Sequence, residues 1–524
     1  MKELFYNGEI LTMEKELYAD ILLTEDGKIT YAGPVDGIAA ADRKEAVKTD
    51  LQGRALLPAF IDAHSHLSAV ANSYLQIDLE NADDFDEIKS TIEQYIHKNK
   101  IEKGKWIICK GYDHNRLKEH KHPDRDLLDA AAPHNPAVIQ HQSGHMGVFN
   151  TSALALLNVT EQTQAPGGGM IGRSGGRLTG YMEESVFVEY LQKLPPPAEK
   201  ELLNAYIQAQ QKYASYGIAT VQDGMMVDSM APIYQALAKQ NLLYLDTVGY
   251  VGIDQGILLD MFSDKHYRNH FRIGGYKIFL DGSPQAKTAW METPYQSGGE
   301  NNCGYGTMTD GNVYKAVEKA CKNGVQLLAH CNGDAACAQL IGALQKADEK
   351  GFDVKKIRPV MVHAQLLRPD QLDAVCRLGL IPSFFIGHVY HWGDVHIRNF
   401  GQKRASLISP AGAALQKNIL FTFHQDSPVT EPNMLESIWC AVNRTTKNGT
   451  ILGNDQAVPV LEAIKAVTIN AAYQYFEETE KGSLKKGKAA DLVILEQNPL
   501  KTAKEKIREI KVLRTIKNGK TVFG

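Results

Sequence analysis

Residues 55–66 read ALLPAFIDAHSH, an apolar run that ends in Asp62 and the pair His64 and His66. Side chains two residues apart on a β-strand project from the same face, so both imidazoles can reach a single ion. An isolated His-x-His pair is also compatible with two ordinary histidines of the core or the surface. Because this pair ends an apolar strand and follows an acid, we interpret it as part of a metal site.

Potential metal ligands also end other apolar runs further along the chain. The runs alternate with amphipathic segments such as residues 369–378, which Gly379 closes. Strands of about four to eight residues between helices predict βα units and a parallel sheet. In a (β/α)8 barrel the chemistry collects at the carboxyl ends of the strands. The candidates are Lys277 within the run 273–280, His330 after 325–329, His363 after 359–362 and Asp426 after 421–423.

The spacing of these candidates corresponds to whole βα units. His330 and His363 are 33 residues apart, which is one unit, and His363 and Asp426 are 63 apart, which is two. Lys277 precedes His330 by 53 residues, which is one unit with a long loop. This count predicts ligands on strands one, four, five, six and eight of an eight-stranded barrel.

Each candidate taken alone has an ordinary structural explanation. His330 or His363 could be a hydrogen-bonded histidine of the core, and Asp426 could cap a following helix. Lys277 lies inside an apolar strand, where a bare ammonium group is costly. It either forms an ion pair with an acid such as Asp281 or has a lowered pKa and reacts with CO2. The product of that reaction is a carbamate, an anionic ligand that can bridge two cations.

Both ends of the chain are rich in short strands and turns, and Asn518-Gly519 is a strong hairpin signal. The 213 residues between His64 and Lys277 exceed three units of roughly 30–40 residues by about 100, which indicates an insertion. We therefore expect an α/β fold, a (β/α)8 TIM-like barrel with an inserted subdomain and a small β-sandwich built from both termini. The expected divisions are residues 1–58 (β domain, first part), 59–470 (barrel), about 68–205 (insertion) and 471–524 (β domain, second part).

The composition is that of an ordinary globular protein. The 524 residues carry 57 Lys and Arg against 61 Asp and Glu, a formal charge of −4 that argues against a nucleic-acid partner. Mean hydropathy is −0.28, and no apolar run approaches the roughly 20 residues that span a membrane. Seven scattered cysteines without a Cys-x-x-Cys pair fit a reducing, cytoplasmic location. We expect a small-molecule substrate, no nucleic-acid or membrane partner, and a chain free to form a homo-oligomer.

Six motifs form a recognisable set. They are residues 62–66 (DAHSH), 277–283 (KIFLDGS), 330–334 (HCNGD), 362–366 (VHAQL), 426–429 (DSPV) and 482–493 (GSLKKGKAADLV). The set resembles the amidohydrolase superfamily, within its amidohydrolase 3 branch of YtcJ-like metal-dependent hydrolases. The resemblance extends over nearly the whole chain.

The resemblance implies one or two divalent metal ions, most often zinc, held by imidazole and carboxylate ligands. The implied ligands are His64, His66, His330 and His363, with Lys277 as a carbamylated bridging lysine and Asp426 as a ligand that also moves protons. Relatives often have glycine or serine shortly before the final aspartate, where this chain has His424-Gln425.

By the same resemblance, the chain hydrolyses a carbon–nitrogen bond other than a peptide bond. An N-acyl or N-formyl amide fits best, with attack by metal-activated hydroxide and Asp426 as proton shuttle. A deaminase or a cyclic amide or amidine hydrolase of the same superfamily is an alternative, although mononuclear deaminases generally lack the lysine of strand four. A non-catalytic binding or regulatory protein on a retained barrel is a further alternative, and the intact ligand set counts against it.

Further histidines and one acid are candidates for contact with the substrate. His145 and Glu183 lie in parts of the insertion that resemble family segments near the substrate. His388 and His391 follow the predicted seventh strand, where exposure at the surface explains them equally well. Three more histidines of the insertion fit either a second metal site or a solvated loop: His114, His120 and His122.

Overall fold

The computed structural model describes residues 2–165, 169–262, 266–297, 299 and 301–524. The chain forms two compact units. Unit one consists of Met1–Ala69 and Ala209–Gly524, and unit two consists of Val70–Gln208.

The strands of the described residues are short, as expected for a chain of βα units and hairpins. In chain order they are β1 (Lys2–Tyr6), β2 (Glu9–Leu11), β3 (Tyr18–Ala19), β4 (Ile21–Glu25), β5 (Lys28–Gly33), β6 (Val47–Asp50), β7 (Ala55–Pro58), β8 (Phe60–Ile61), β9 (Ile77–Asp78), β10 (Ile107–Tyr112), β11 (Ala137–His141), β12 (Met146–Phe149), β13 (Gly169–Ser174), β14 (Arg177–Glu183), β15 (Ile218–Met226), β16 (Asp246–Gly252), β17 (Phe271–Phe279), β18 (Gln326–Cys331), β19 (Val360–His363), β20 (Ile381–Phe384), β21 (Thr422–Phe423), β22 (Leu492–Leu495), β23 (Val512–Lys517) and β24 (Lys520–Phe523).

Helices occupy most of the segments between the later strands. They are α1 (Ala40–Glu45), α2 (Leu67–Ser73), α3 (Phe85–Lys98), α4 (Arg125–Ala131), α5 (Thr151–Leu156), α6 (Glu184–Gln192), α7 (Glu199–Ser215), α8 (Ala231–Lys239), α9 (Ile257–Met261), α10 (Asp310–Asn323), α11 (Asp334–Glu349), α12 (Leu372–Leu378), α13 (His388–Ala405), α14 (Ala411–Gln416), α15 (Met434–Asn443), α16 (Val460–Ala466) and α17 (Ile469–Gln474). Among the described residues, no helix combines the length and the apolar character needed to cross a bilayer.

A curled parallel sheet forms the centre of unit one. Its eight strands follow one another in chain order, β8 and then β15 to β21. Beyond the two edge strands, Asp426 N donates to His64 O (3.2 Å) and His66 N donates to Ser427 O (2.9 Å), which joins the segments after β21 and β8. This arrangement fits the predicted TIM-like barrel and brings the carboxyl ends of the strands to one end of the sheet.

Helix α10, between β17 and β18, illustrates how capping residues define both ends of a helix. The Thr309 side chain accepts the backbone N–H of Asn312 and caps the start of α10. Gly324 ends the same helix with a φ of +60°, a left-handed conformation that costs glycine little. Between the caps, apolar residues such as Val313 and Val317 recur at helical spacing and are buried.

The core of the barrel also contains residues from beyond its last strand. Ala471, of α17, and Tyr475 just after it pack with Ile61, Val248 and Leu328 of the barrel strands. The sequence predicts that residues 471–524 belong to the β domain. In the structure, the apolar side chains of this helix fill the barrel instead, and strand structure resumes only at β22.

Strands from both ends of the chain share a six-stranded sheet of unit one, in the order β24-β23-β22-β7-β2-β3. β22 pairs antiparallel with β7, and β7 pairs parallel with β2. A separate four-stranded sheet has the order β5-β4-β1-β6. Asn518 and Gly519 connect β23 and β24 with φ values of +48° and +72°, as their hairpin signal predicts.

Unit two is built around its own six-stranded sheet, in the order β13-β14-β12-β11-β10-β9. β9, β10 and β11 are parallel to one another, while β11, β12, β14 and β13 are joined by antiparallel pairing. Buried apolar residues such as Ile92 of α3, Leu128 of α4 and Ile139 of β11 form its core. The unit therefore has a core of its own.

A buried ion network joins the C-terminal segment to a barrel strand within unit one. Asp246, at the start of β16, is only 6% exposed and accepts hydrogen bonds from Lys481 and Lys517. Lys517 also donates to Asp491 at 2.7 Å, and His270 Nδ1 lies 2.8 Å from Asp246 Oδ1. Burial alone would raise the pKa of Asp246, but the neighbouring ammonium groups hold it well below its usual value.

Asp246→Asn would leave two buried ammonium groups without this counter-charge. Removing one partner from a buried ionic group costs about 3–5 kcal/mol, and we expect the free energy of unfolding to fall by that order, as measured by urea unfolding. The matched control is Asp373→Asn, because Asp373 pairs with Lys417 at the surface, where its side chain is 80% exposed. Equal losses in the two variants would contradict the proposed role of the network.

Candidate metal centre

Three of the predicted ligands meet at the carboxyl ends of the first and last barrel strands. The ligand atoms of His64, His66 and Asp426 all lie within 4.8 Å of one another. His64 Nε2 is 3.5 Å and His66 Nε2 is 3.3 Å from Asp426 Oδ1. The His-x-His pattern predicts that the two histidines lie on the strand. This prediction is wrong, because β8 already ends at Ile61. They follow it, and the backbone bonds to the segment after β21 hold them there.

Lys277 reaches the same point from strand four. It lies within β17, is 1% exposed, and its Nζ is 3.3 Å from His64 Nε2. Burial lowers the pKa of Lys277 to about 7, although the nearby Asp426 carboxylate opposes the shift. A substantial fraction of this amine is therefore uncharged at neutral pH.

An ion pair between Lys277 and Asp281 is one of the two explanations that the sequence leaves open for Lys277. In the structure, Asp281 has other partners. Its Oδ1 lies 3.0 Å from His330 Nδ1 and also accepts the backbone N–H of Asn332. Its Oδ2 accepts the backbone N–H of Gly333 at 2.6 Å. Apart from the backbone N–H of Trp290, which donates to Oδ2 at 3.1 Å, these donors come from the segment at the end of strand five.

His330 and His363 complete the group of predicted ligands at this end of the barrel. His330 lies within β18 and His363 ends β19, and their ring centroids are 4.6 Å apart. His363 Nε2 is 3.9 Å from Asp426 Oδ2. The structure therefore brings all six predicted ligands to the ends of strands one, four, five, six and eight.

Two of the imidazoles are oriented by acceptors on their Nδ1 atoms. Gln222, on β15, donates from Nε2 to Ala63 O and to the Tyr475 hydroxyl, both at 2.8 Å, which turns its Oε1 toward His64. His64 Nδ1 lies 2.5 Å from that oxygen. In the same way, His330 Nδ1 lies 3.0 Å from the acceptor Asp281 Oδ1. In each case an N–H on Nδ1 leaves Nε2 unprotonated. Its lone pair faces the Lys277 amine at His64 and the Asn332 amide at His330, both at 3.3 Å, and is the one that a metal would use.

His363 is oriented by another histidine, which the ligand pattern of the sequence does not single out. His363 Nδ1 lies 3.1 Å from His424 Nε2, and His424 Nδ1 lies 2.8 Å from the Ser383 hydroxyl. His424 and Ser383 are both fully buried. A proton on each Nδ1 gives a continuous chain from His363 to His424 to Ser383 and again leaves His363 Nε2 free. The available sequence signal is the pair His424-Gln425 shortly before Asp426, where the resemblance leads us to expect glycine or serine.

The electrostatics favour neutral imidazoles beside an ionised carboxylate. Burial and the neighbouring basic groups lower the pKa values of His64 and His363 well below the ordinary value. Burial would raise the pKa of Asp426, but His66, His424 and Lys277 outweigh it and the net shift is downward. Neutral imidazole and carboxylate are the forms that bind metal ions.

Two observations show that these residues suit a cation. Asp426 Oδ1 is buried and has no hydrogen-bond partner among the described residues. His363 and Asp426 have φ values of +71° and +54°, left-handed conformations that cost non-glycine residues energy and that cluster at functional sites. The donor set of imidazole nitrogen and carboxylate oxygen fits zinc and similar divalent ions.

The predicted substrate residues have partners of their own. His388 begins α13 and is buried, with its Nδ1 3.0 Å from His396 Nε2, and His391 Nε2 lies 2.9 Å from Glu436 Oε1. In unit two, His145 Nδ1 lies 3.2 Å from Glu184 Oε2, and Glu183 accepts the Tyr181 hydroxyl at 2.6 Å. Contact of His145, Glu183, His388 and His391 with substrate stays a prediction.

Comparisons with known proteins identify the family of the chain. The chain is 26% identical to the N-substituted formamide deformylase of Arthrobacter pascens over 98% of this chain and 96% of that protein. It is 24% identical to the protein YtcJ of Bacillus subtilis (strain 168) over 100% and 99% of the two chains. A crystal structure of an uncharacterized metal-dependent hydrolase from Pyrococcus furiosus has the same fold, with a TM-score of 0.78 and 23% identity over 96% of this chain and 100% of that one. Because the model of the amidohydrolase family matches residues 49–523, this chain belongs to the amidohydrolase family.

Proposed function

We propose that this amidohydrolase is a metal-dependent hydrolase of a small molecule and cleaves an N-acyl or N-formyl amide. The observation that carries the proposal is the convergence of His64, His66 and Asp426 within 4.8 Å at the mouth of a parallel barrel. The second support is the full-length similarity to an N-substituted formamide deformylase.

The metal in this proposal is zinc, as one or two ions. His64, His66 and Asp426 would hold one ion, and His330 and His363 with Lys277 would extend the site to a second. Such an ion supplies a polarised carbonyl and lowers the pKa of a water molecule to about 7. Gln222, Asp281 and His424 keep the imidazoles oriented throughout, because each of them occupies the nitrogen that faces away from the ligand group.

Lys277 in this proposal is carbamylated. The uncharged amine adds to CO2, a nitrogen–carbon bond forms, one proton is lost to solvent, and the product is a carbamate anion. Its position 3.3 Å from His64 Nε2 supports the proposal, since an anionic oxygen ligand there could contact both ions. Burial also favours the modification because it disfavours the ammonium form.

Asp426 in this proposal moves the proton. Its carboxylate accepts a proton from the water that attacks the carbonyl carbon, and the resulting acid donates that proton to the nitrogen of the departing amine. The unpartnered Oδ1 is suited to the first step. The net downward shift of its pKa keeps the Asp426 carboxylate ionised until the proton arrives.

Asp426→Asn is expected to lower kcat by about 10²–10⁴-fold, the usual contribution of a general acid–base group. Purified protein supplied with zinc and bicarbonate is assayed against a panel of N-substituted formamides and N-acyl amines, with the amine and the acid both quantified. Metal content is measured in parallel, and Asp373→Asn serves as a surface control. Full turnover by the Asn variant with metal bound would exclude the shuttle role, and release of ammonia in place of the amine and acid would indicate a deaminase.

Carbamylation of Lys277 predicts a bicarbonate-derived carbon on the protein. After incubation with ¹³C-bicarbonate and zinc, we expect a carbamate carbon signal in the NMR spectrum that Lys277→Met lacks. Lys488→Met is the control, because Lys488 is also largely buried but donates to Glu478 O and the Ser483 hydroxyl. A signal that survives in Lys277→Met would show that the carbamate lies elsewhere.

His424→Ala should weaken metal binding about 10–100-fold, the usual effect of removing a group that orients a metal-bound histidine. Competition with a chelator measures the affinity, and Ser383→Ala should shift it in the same direction by less. His134→Ala, a change at an exposed histidine of unit two, should leave the affinity unchanged. Wild-type affinity in a folded His424→Ala protein would refute the orienting role.

A further inference from the structure

Unit two contains a second group of metal-ligating side chains, well apart in the sequence from the barrel ligands. Asp113 and His114 directly follow β10, and His141 is the last residue of β11. β10 and β11 are parallel neighbours in which Tyr112 lies opposite His141. The three side chains therefore meet where two parallel strands reach their carboxyl ends, the edge at which α/β sheets commonly bind ligands.

The distances within this group are those of ligands around one small cation. His114 Nδ1 lies 3.1 Å from His141 Nε2, and His141 Nε2 lies 3.6 Å from Asp113 Oδ1. His114 Nδ1 and Asp113 Oδ1 are 3.9 Å apart. Four ligands placed tetrahedrally at the usual zinc distances are separated by about 3.3 Å. All three ligand atoms thus lie near the corners that one zinc ion would require.

We propose that Asp113, His114 and His141 form a zinc site in unit two that uses none of the six barrel ligands. Two imidazoles and one carboxylate are a common zinc donor set, with a fourth position left for water or another ligand. The side chains of His114 and Asp113 are 29% and 22% exposed, so the open side of the group is accessible to solvent. His141 is buried and anchors the group to the sheet.

Neighbouring side chains orient the carboxylate of this site. Gln142 Nε2 donates to Asp113 Oδ2 at 2.6 Å, and the backbone N–H and side chain of Asn115 donate to Asp113 Oδ1 at 2.9 and 3.1 Å. These bonds direct one carboxylate oxygen toward the two imidazoles. They also leave the carboxylate ionised, as binding of a cation requires.

The tautomer of His141 differs between the metal-free state and the proposed metal-bound state. Its Nδ1 lies 3.1 Å from the backbone nitrogen of Ser143 and 2.9 Å from the Ser143 hydroxyl. Without metal, Nδ1 accepts the backbone N–H, and the proton on Nε2 is donated to His114. Zinc at Nε2 would require that proton on Nδ1, where the Ser143 hydroxyl oxygen can accept it once the backbone N–H of Ser143 has turned away from the ring. The imidazole stays neutral in both states.

His122 supports the site but is not one of its ligands. Its Nδ1 lies 3.0 Å from the Tyr112 hydroxyl and its Nε2 3.4 Å from the Tyr181 hydroxyl. The Tyr181 hydroxyl donates its proton to Glu183 at 2.6 Å, so its oxygen accepts the Nε2 proton of His122, and the Tyr112 hydroxyl donates to Nδ1. Both nitrogens of His122 therefore have partners other than a metal. Its ring stacks on His114 with centroids 4.0 Å apart, which restrains the orientation of the His114 ring.

Zinc stoichiometry of the full-length protein tests this proposal. The protein is stripped with a chelator, titrated with zinc, desalted and analysed for bound metal. We expect His114→Gln and Asp113→Asn each to bind one equivalent less than the wild type, with melting temperatures that show an intact fold. His134→Gln, a matched change at an exposed histidine of the same unit, should bind as much as the wild type.

A double variant, His64→Asn with His66→Asn, separates this site from the barrel. We expect it to retain the equivalent that His114→Gln loses, and cobalt substituted into it should give an absorption spectrum that His114→Gln abolishes. If the double variant binds no zinc, or if His114→Gln and Asp113→Asn bind as much as the wild type, the group is a hydrogen-bonded histidine pair and the proposal is wrong. Neither result depends on the proposed hydrolysis at the barrel.

Discussion

The barrel site depends on the interaction between one buried carboxylate and the bases that surround it. Asp426 lies within 3.5 Å of both imidazoles of the His-x-His pair, and Lys277 contacts His64 from the neighbouring side. In a medium of low dielectric constant, several protonated bases could not coexist here. Burial lowers the pKa values of His64, His363 and Lys277, while the net shift at Asp426 is also downward. These shifts favour neutral imidazoles beside an ionised carboxylate, the forms that bind a divalent cation.

Metal binding also requires each imidazole to direct its unprotonated nitrogen toward the ion. Residues from three different strands of the barrel orient three of the imidazoles. Gln222 acts on His64 from strand two, Asp281 acts on His330 from the end of strand four, and His424 acts on His363 from the end of strand eight. Because the strands are parallel and consecutive, each orienting residue comes from a neighbouring or nearby strand. The barrel thus supplies the ligands and their orientation from the same edge of the sheet.

Much of this site could be predicted from the sequence because strand spacing is a local property. The apolar runs before His330 and His363 correspond to β18 and β19, and the count of βα units puts the candidates on the observed strands. The orienting residues could not be predicted in the same way. Gln222 lies 158 residues from His64 and His424 lies 61 from His363, and nothing near either residue in the sequence indicates its partner.

The sequence by itself determined the parallel barrel, the strand hairpins at both ends and the positions of the six candidate ligands, since these follow from periodicity, turn residues and spacing. Their roles as ligands, above all that of Lys277, came from the resemblance to a family. Only the tertiary structure decided that His64 and His66 follow the strand instead of lying on it, that Asp281 faces His330 and not Lys277, and that α17 fills the barrel core. It also brought His114 and His141 together in unit two, although 27 residues separate them. These outcomes depend on which side chains meet after the strands pair, and burial and hydrogen bonding select those contacts only in the folded chain.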